Sequence, residues 1–156
     1  MIRAGKGRKA LCAVLLMCNL LFIWGNSLMD AELSGSFSQW LRDLLGMAAG
    51  ELPGQSDGVL RKLAHFAEFC SLGFLLSWLL AMRKERKQAF VLPAAALGCL
   101  VACVDEMLQH FSPGRAPRFT DVAIDTAGVL VGIGLLSLGY AIKRKNKNLH
   151  FGGKQQ

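Results

Sequence analysis

The chain has 156 residues, 53% hydrophobic and 19% charged, with a formal charge of +7 at pH 7 and a mean hydropathy of +0.36. That is too apolar for a soluble domain of this length and points to a small membrane protein. The five cysteines are odd in number and all fall in apolar runs, which argues against a disulfide framework and for small buried apolar residues.

Four apolar runs appear in chain order. The first, residues 10–28, follows a basic start of Arg3, Lys6, Arg8 and Lys9. Its apolar core exceeds that of a signal peptide and no small-x-small cleavage site follows, so it reads as a retained span. Next comes a loop of about thirty residues. Within it Phe37, Trp40, Leu41, Leu44, Leu45 and Ala48 recur at helical spacing after a Ser36/Gln39 capping pair. This predicts a short amphipathic helix, lying in the outer headgroup layer or packed over the bundle. Pro53-Gly54 and Asp57-Gly58 are turn signals before the second span, at about 60–82. The third and fourth spans are placed at about 90–110 and 121–142. Each run is about 20 residues, which at ~1.5 Å per residue crosses a hydrocarbon core of ~30 Å. Short connections at 83–88 and 112–118 make successive spans antiparallel.

The predicted fold is therefore all-α: a four-transmembrane-helix bundle with a short outer amphipathic helix. One domain fills residues 1–146, and 147–156 form a disordered basic tail. Basic residues concentrate in the amino terminus, in Arg83-Lys84-Glu85-Arg86-Lys87 and in the tail from Lys143, which together hold most of the 18 Lys and Arg. Short loops rich in Lys and Arg stay in the cytoplasm, so both termini are expected inside. The positive charge is thus a matter of orientation and anionic lipid, and no nucleic-acid partner is expected. Gly128 and Gly132 are four apart in the fourth span, which lets another helix approach closely, within the chain or in a homo-oligomer.

The polar residues that interrupt these spans share one end. Lys62, His65 and Glu68 lie three apart along the second span. Asp105, Glu106 and Gln109 end the third, and Asp121 and Asp125 begin the fourth. A charge in a span costs ~2.5–3.5 kcal/mol on insertion scales, so such residues demand pairing, protonation, water or a task. Arg61, Lys62, Arg115 and Arg118 nearly balance Glu68, Asp105, Glu106, Asp121 and Asp125. Asp121 after Thr120 also suits a helix start, and Arg61, Lys62 and Arg118 could snorkel to headgroups. Asp105 and Asp125, one turn inside their spans, are hardest to explain that way.

These residues resemble the VanZ family of small bacterial membrane proteins. The resemblance runs through Lys62-x-x-His65-Phe66-x-Glu68-Phe69, Asp105-Glu106-x-x-Gln109 with Pro113-Gly114-Arg115, and Asp121-x-x-x-Asp125-x-x-Gly128; Asn26-Ser27 adds a weak match. Phe69 replaces a frequent tyrosine, and Ala116-Pro117-Arg118 replaces a small polar stretch. The resemblance implies a four-span protein of the bacterial cytoplasmic membrane. The founding member is associated with low-level resistance to teicoplanin-type glycopeptides, and the family has no settled biochemical activity.

Three functions compete. The cluster Lys62, His65, Glu68, Asp105, Glu106, Gln109, Arg115, Asp121 and Asp125 could bind a lipid headgroup, a glycopeptide or a lipid-linked cell-wall precursor at the outer leaflet. Alternatively His65, Glu68, Asp105, Glu106 and Asp125 could serve as acid/base groups, or hold a divalent metal with Asp121, in a hydrolase or transferase acting on a lipid-linked substrate. One histidine among carboxylates does not choose between Mg²⁺, Mn²⁺ and Zn²⁺. In the third reading the cluster is a polar plug that specifies helix packing.

Overall fold

The computed structural model describes residues 5–29, 36, 43, 57–82, 89–113 and 118–152. It has four long helices: α1 (Lys6–Leu28), α2 (Asp57–Ala81), α3 (Val91–Gln109) and α4 (Phe119–Gly152). Each contains a stretch long and apolar enough to cross a membrane: Lys6–Leu28, Arg61–Ala81, Val91–Gln109 and Phe119–Asn146. Among the described residues there is no strand. The all-helical, multi-pass reading of the sequence therefore holds. Of the amphipathic helix expected in the long loop, Ser36 and Asp43 are helical, and the rest lies outside the described residues.

The bounds differ from the hydropathy reading in a physical way. Hydropathy marks where apolar residues stop, while a helix stops where its backbone is interrupted. α4 accordingly continues past the apolar run, through Lys143-Arg144-Lys145 and Asn146 to Gly152. Lys and Arg are good helix formers, which suits a helix that outlasts its apolar run. α1 likewise begins at Lys6 rather than at residue 10. Pro93 is tolerated in the first turn of α3, where its missing N–H needs no intrahelical acceptor. At the other end of α3 the backbone tightens: His110 donates to Met107 O (3.2 Å), Phe111 to Leu108 O (3.0 Å) and Ser112 to Gln109 O (3.1 Å).

Lipid tails are as apolar as leucine, so burying hydrophobic surface does little to bring spans together; close packing and interhelical hydrogen bonds must do it. The most extensive contact joins α2 and α4. It is made possible by glycines on both. A Cβ on Gly132 would lie 2.7 Å from Phe74 N, and one on Gly128 would lie 2.5 Å from Phe66 O. The close approach suggested by Gly128 and Gly132 is thus used within the chain. Val129, between them, locks three helices. A Cβ on Gly73 of α2 would stand 2.8 Å from Val129 Cα, and one on Gly98 of α3 would stand 2.8 Å from Val129 Cγ2. Phe69, Leu72 and Leu76 of α2, Ala94 and Ala102 of α3, and Ile133 of α4 complete the core with Ile23 of α1. Large apolar side chains such as Leu92 (79% exposed), Phe111 (77%) and Phe119 (96%) face outward, as suits a bundle solvated by hydrocarbon.

α1 joins α2 along a polar ladder. Cys12 Sγ contacts Leu75 O (3.6 Å), Asn19 Nδ2 donates to Ser71 Oγ (2.5 Å) and Asn26 Nδ2 donates to Glu68 Oε1 (2.7 Å). Residues 12, 19 and 26 are seven apart, the repeat that keeps one helix stripe facing its partner. The partners fall in number as these rise, so α1 and α2 are antiparallel. The cysteines are all free thiols. Only Cys12 is buried; Cys18 and Cys103 are exposed, which corrects the expectation of five buried residues. An outward thiol is small and apolar enough to face lipid.

Candidate functional site

The polar residues on α2, α3 and α4 meet at the end of the bundle where α3 runs towards α4. Spacing along each helix causes this: His65 and Glu68, Asp105 and Gln109, and Asp121 and Asp125 are each three or four apart, hence on one face of their helix. The close α2–α4 crossing one turn further in then brings those faces together.

At the centre His65 Nδ1 lies 3.9 Å from Asp105 Oδ2 and 4.0 Å from Glu68 Oε2. Gln109 Nε2 donates to Asp105 Oδ2 (3.0 Å). Asp125, from α4, completes a group of three: His65, Asp105 and Asp125 each offer a ligand-type atom, all within 4.8 Å of one another. Asp105 is 0% and Asp125 1% exposed. Asp125 Oδ2 is buried with no hydrogen-bond partner among the described residues.

Around this centre stands a second ring. Lys62 Nζ pairs with Asp121 Oδ1 at 3.4 Å, and Thr120 Oγ1 donates to the same oxygen at 3.3 Å. Asp121 is in the first turn of α4 and near that helix's positive end, so its structural and electrostatic readings coincide. The lysine is more than a third exposed, so the pair contributes little to stability. Glu106 is 6% exposed and takes its hydrogen bond from the backbone N–H of Arg118, not from an arginine side chain. It thereby ties the end of α3 to the start of α4. Ser112 Oγ donates to Ser27 O (2.7 Å), pinning α1 to the same end.

A small cleft opens on the centre, lined by Arg61, Lys62, His65, Gln109, Asp121 and Asp125 together with Ile124. Its volume is about 10 Å³, room for roughly one water-sized group. Arg61, read from the sequence as one of the cluster's balancing cations and chiefly as a snorkelling residue, joins Lys62 in lining this opening with basic groups. Chemically the arrangement offers a basic entrance for an anionic group, a histidine between carboxylates, and a set of oxygen and nitrogen atoms able to converge on a cation.

Of the candidates drawn from the sequence, Lys62, His65, Glu68, Asp105, Glu106, Gln109, Asp121 and Asp125 all come to this end of the bundle. Arg115 lies outside the described residues. Sequence reasoning missed Asn26 as the donor that holds Glu68. The signal was an isolated asparagine at one end of an apolar run, and its heptad phase with Cys12 and Asn19 could have found it.

A family model described as VanZ/LLP1 matches residues 10–140, a stretch that takes in the whole polar cluster. No curated protein and no solved structure matches the chain.

Proposed function

The chain belongs to the VanZ/LLP1 family, and from that membership together with the cluster we propose that it alters susceptibility to teicoplanin-type glycopeptides by binding an anionic group at the outer face of the bacterial cytoplasmic membrane. The carrying observation is the cleft with Arg61 and Lys62 at its rim and His65, Asp121 and Asp125 within. The basic termini and the Arg83–Lys87 stretch support an inward orientation of the opposite end, which turns the cluster outward. The bound group is a lipid headgroup, a lipid-linked wall precursor or the drug itself. An apolar groove of about 840 Å³, lined by Leu15, Phe22, Phe66 and Phe74 among others, gives an acyl chain of such a ligand a place along α1 and α2.

The test compares teicoplanin and vancomycin tolerance in a sensitive Gram-positive host carrying empty vector, wild type or Asp105→Asn at matched membrane abundance. Selective teicoplanin tolerance with wild type, lost in the variant, supports the reading. No change with wild type rejects it.

A second reading is favoured by the placement of His65 within 4 Å of both Glu68 and Asp105. This is the geometry of a histidine held by carboxylates for acid/base work, in a hydrolase or transferase acting on a lipid-linked substrate. Turnover of such a substrate by purified protein, abolished in His65→Gln, would put this reading first.

A further inference from the structure

We infer that His65, Asp105 and Asp125 form a binding site for one zinc ion, with a further coordination position open to the cleft. Three helices each supply one member, so no local motif brings them together; only the folded bundle does. Their ligand-type atoms already lie within 4.8 Å of one another. A tetrahedral zinc with bonds of ~2.0–2.2 Å needs its ligands ~3.4 Å apart, so side-chain rotations of about an ångström close the set.

Burial gives the second argument. Asp105 and Asp125 are 0% and 1% exposed. Asp105 has His65 at 3.9 Å and Gln109 at 3.0 Å, whereas Lys62, the lysine lining the cleft, is paired with Asp121. Asp125 Oδ2 has no hydrogen-bond partner among the described residues, although it belongs to a residue that lines the cleft. A buried carboxylate oxygen in that position lacks an acceptor's usual compensation, and a cation supplies it.

The space, rather than the donor set, favours zinc. Three protein ligands and one exchangeable position suit a four-coordinate ion, whereas Ca²⁺ takes six to eight oxygens and Mg²⁺ keeps several waters. The cleft, about 10 Å³, admits one water-sized group, which matches three protein ligands and one exchangeable position. Neighbouring groups occupy the places that ligand-positioning groups take elsewhere. Gln109 fixes Asp105 Oδ2 at 3.0 Å. Glu68, itself held by Asn26, stands 4.0 Å from the same His65 Nδ1 that faces Asp105.

The inference stands independently of the glycopeptide reading, and its test uses neither drug nor lipid substrate. Full-length protein, purified in detergent without a histidine tag and stripped with chelator, is titrated with Zn²⁺ and separately with Co²⁺. Wild type should take up one zinc per chain, and the Co²⁺ form should show the intense visible bands of a four-coordinate site. His65→Gln and Asp125→Ala, with helical circular dichroism and elution volume as in wild type, should lose at least about 100-fold in zinc affinity, since even outer-shell changes cost ~10–100-fold. Gly134→Ala, where an added Cβ meets nothing within 4 Å, should bind zinc as wild type does. Failure of wild type to bind one ion, a weak six-coordinate Co²⁺ spectrum, or undiminished binding in the folded variants overturns the site. The wild-type spectrum decides the matter even if both variants fail to fold. A zinc-free protein that still shifts teicoplanin tolerance refutes the metal alone; a zinc-binding protein without that phenotype refutes the glycopeptide reading alone.

Discussion

Replacing Gly132 by alanine should separate α2 from α4 and so disturb both stability and the polar centre. The added Cβ would stand 2.7 Å from Phe74 N and 3.0 Å from Cys70 C. Both are main-chain atoms in the middle of a helix and cannot rotate away. The Cys70 carbonyl oxygen is nearer still, so reaching an ordinary contact of about 3.4 Å requires the helices to part by more than the ~0.7 Å that Phe74 N alone demands, and overpacking of this kind costs ~1–3 kcal/mol. Alanine also favours helix over glycine by about 1 kcal/mol, which would mask part of that cost. Gly134→Ala corrects for it: the same substitution two residues along α4 meets nothing within 4 Å. The difference between the two variants cancels the propensity gain and leaves the steric cost. We expect Gly132→Ala to unfold about 1–3 kcal/mol more easily than Gly134→Ala, measured by helical circular dichroism during SDS titration of purified protein in micelles. Gly134→Ala should equal or exceed wild type. Because α2 carries His65 and α4 carries Asp125, Gly132→Ala should also weaken zinc uptake. Equal stability of the two alanine variants would refute the close α2–α4 crossing and the reasoning built on it.

Other outcomes follow from individual contacts. Arg118→Ala should leave stability nearly unchanged, because Glu106 uses the main-chain N–H of that residue; Arg118→Pro removes the donor and should cost ~1–3 kcal/mol in the same unfolding assay. Asn26→Leu should weaken the α1–α2 seam by ~0.6–1.7 kcal/mol, and a double-mutant cycle with Glu68→Gln should assign most of that to the bond between them. Lys62→Met should change stability by less than about 1 kcal/mol, since its pair with Asp121 is partly exposed, yet reduce binding to vesicles rich in anionic lipid, read by co-sedimentation at low and high salt.

The four spans were legible because hydrocarbon imposes a length and a composition on any helix that crosses it. Asp105 and Asp125 were legible for the converse reason: their cost inside a span is too large to be incidental. The pairing of α2 with α4 was only half visible. Gly128 and Gly132 announced a close contact, but one sequence does not say which helix approaches, and the two are not consecutive. The polar ladder on α1 was hidden by averaging, since Cys12, Asn19 and Asn26 barely lower the hydropathy of the run that contains them. Glu106 illustrates a different limit. Its neighbours in sequence suggested an ion pair, whereas its bond goes to the main chain of Arg118, and main-chain donors leave no mark in a sequence. Hydropathy falls at Ile142 while helix propensity does not, so the apolar bound of the fourth span says little about how far α4 continues.

Val129 touches two glycines, but it does not constrain them alike. At Gly98 the atoms in the way are the methyl groups of the valine side chain; at Gly73 they are its carbonyl and Cα. A larger residue at position 98 can therefore be accommodated by trimming its neighbour, so Gly98→Ala should be rescued by Val129→Ala. No change of side chain removes a carbonyl, and Gly73→Ala should find no suppressor at that position. Two glycines on adjoining helices thus differ in their freedom to change: one can vary in concert with a single partner, and the other is fixed by the path of the chain opposite it.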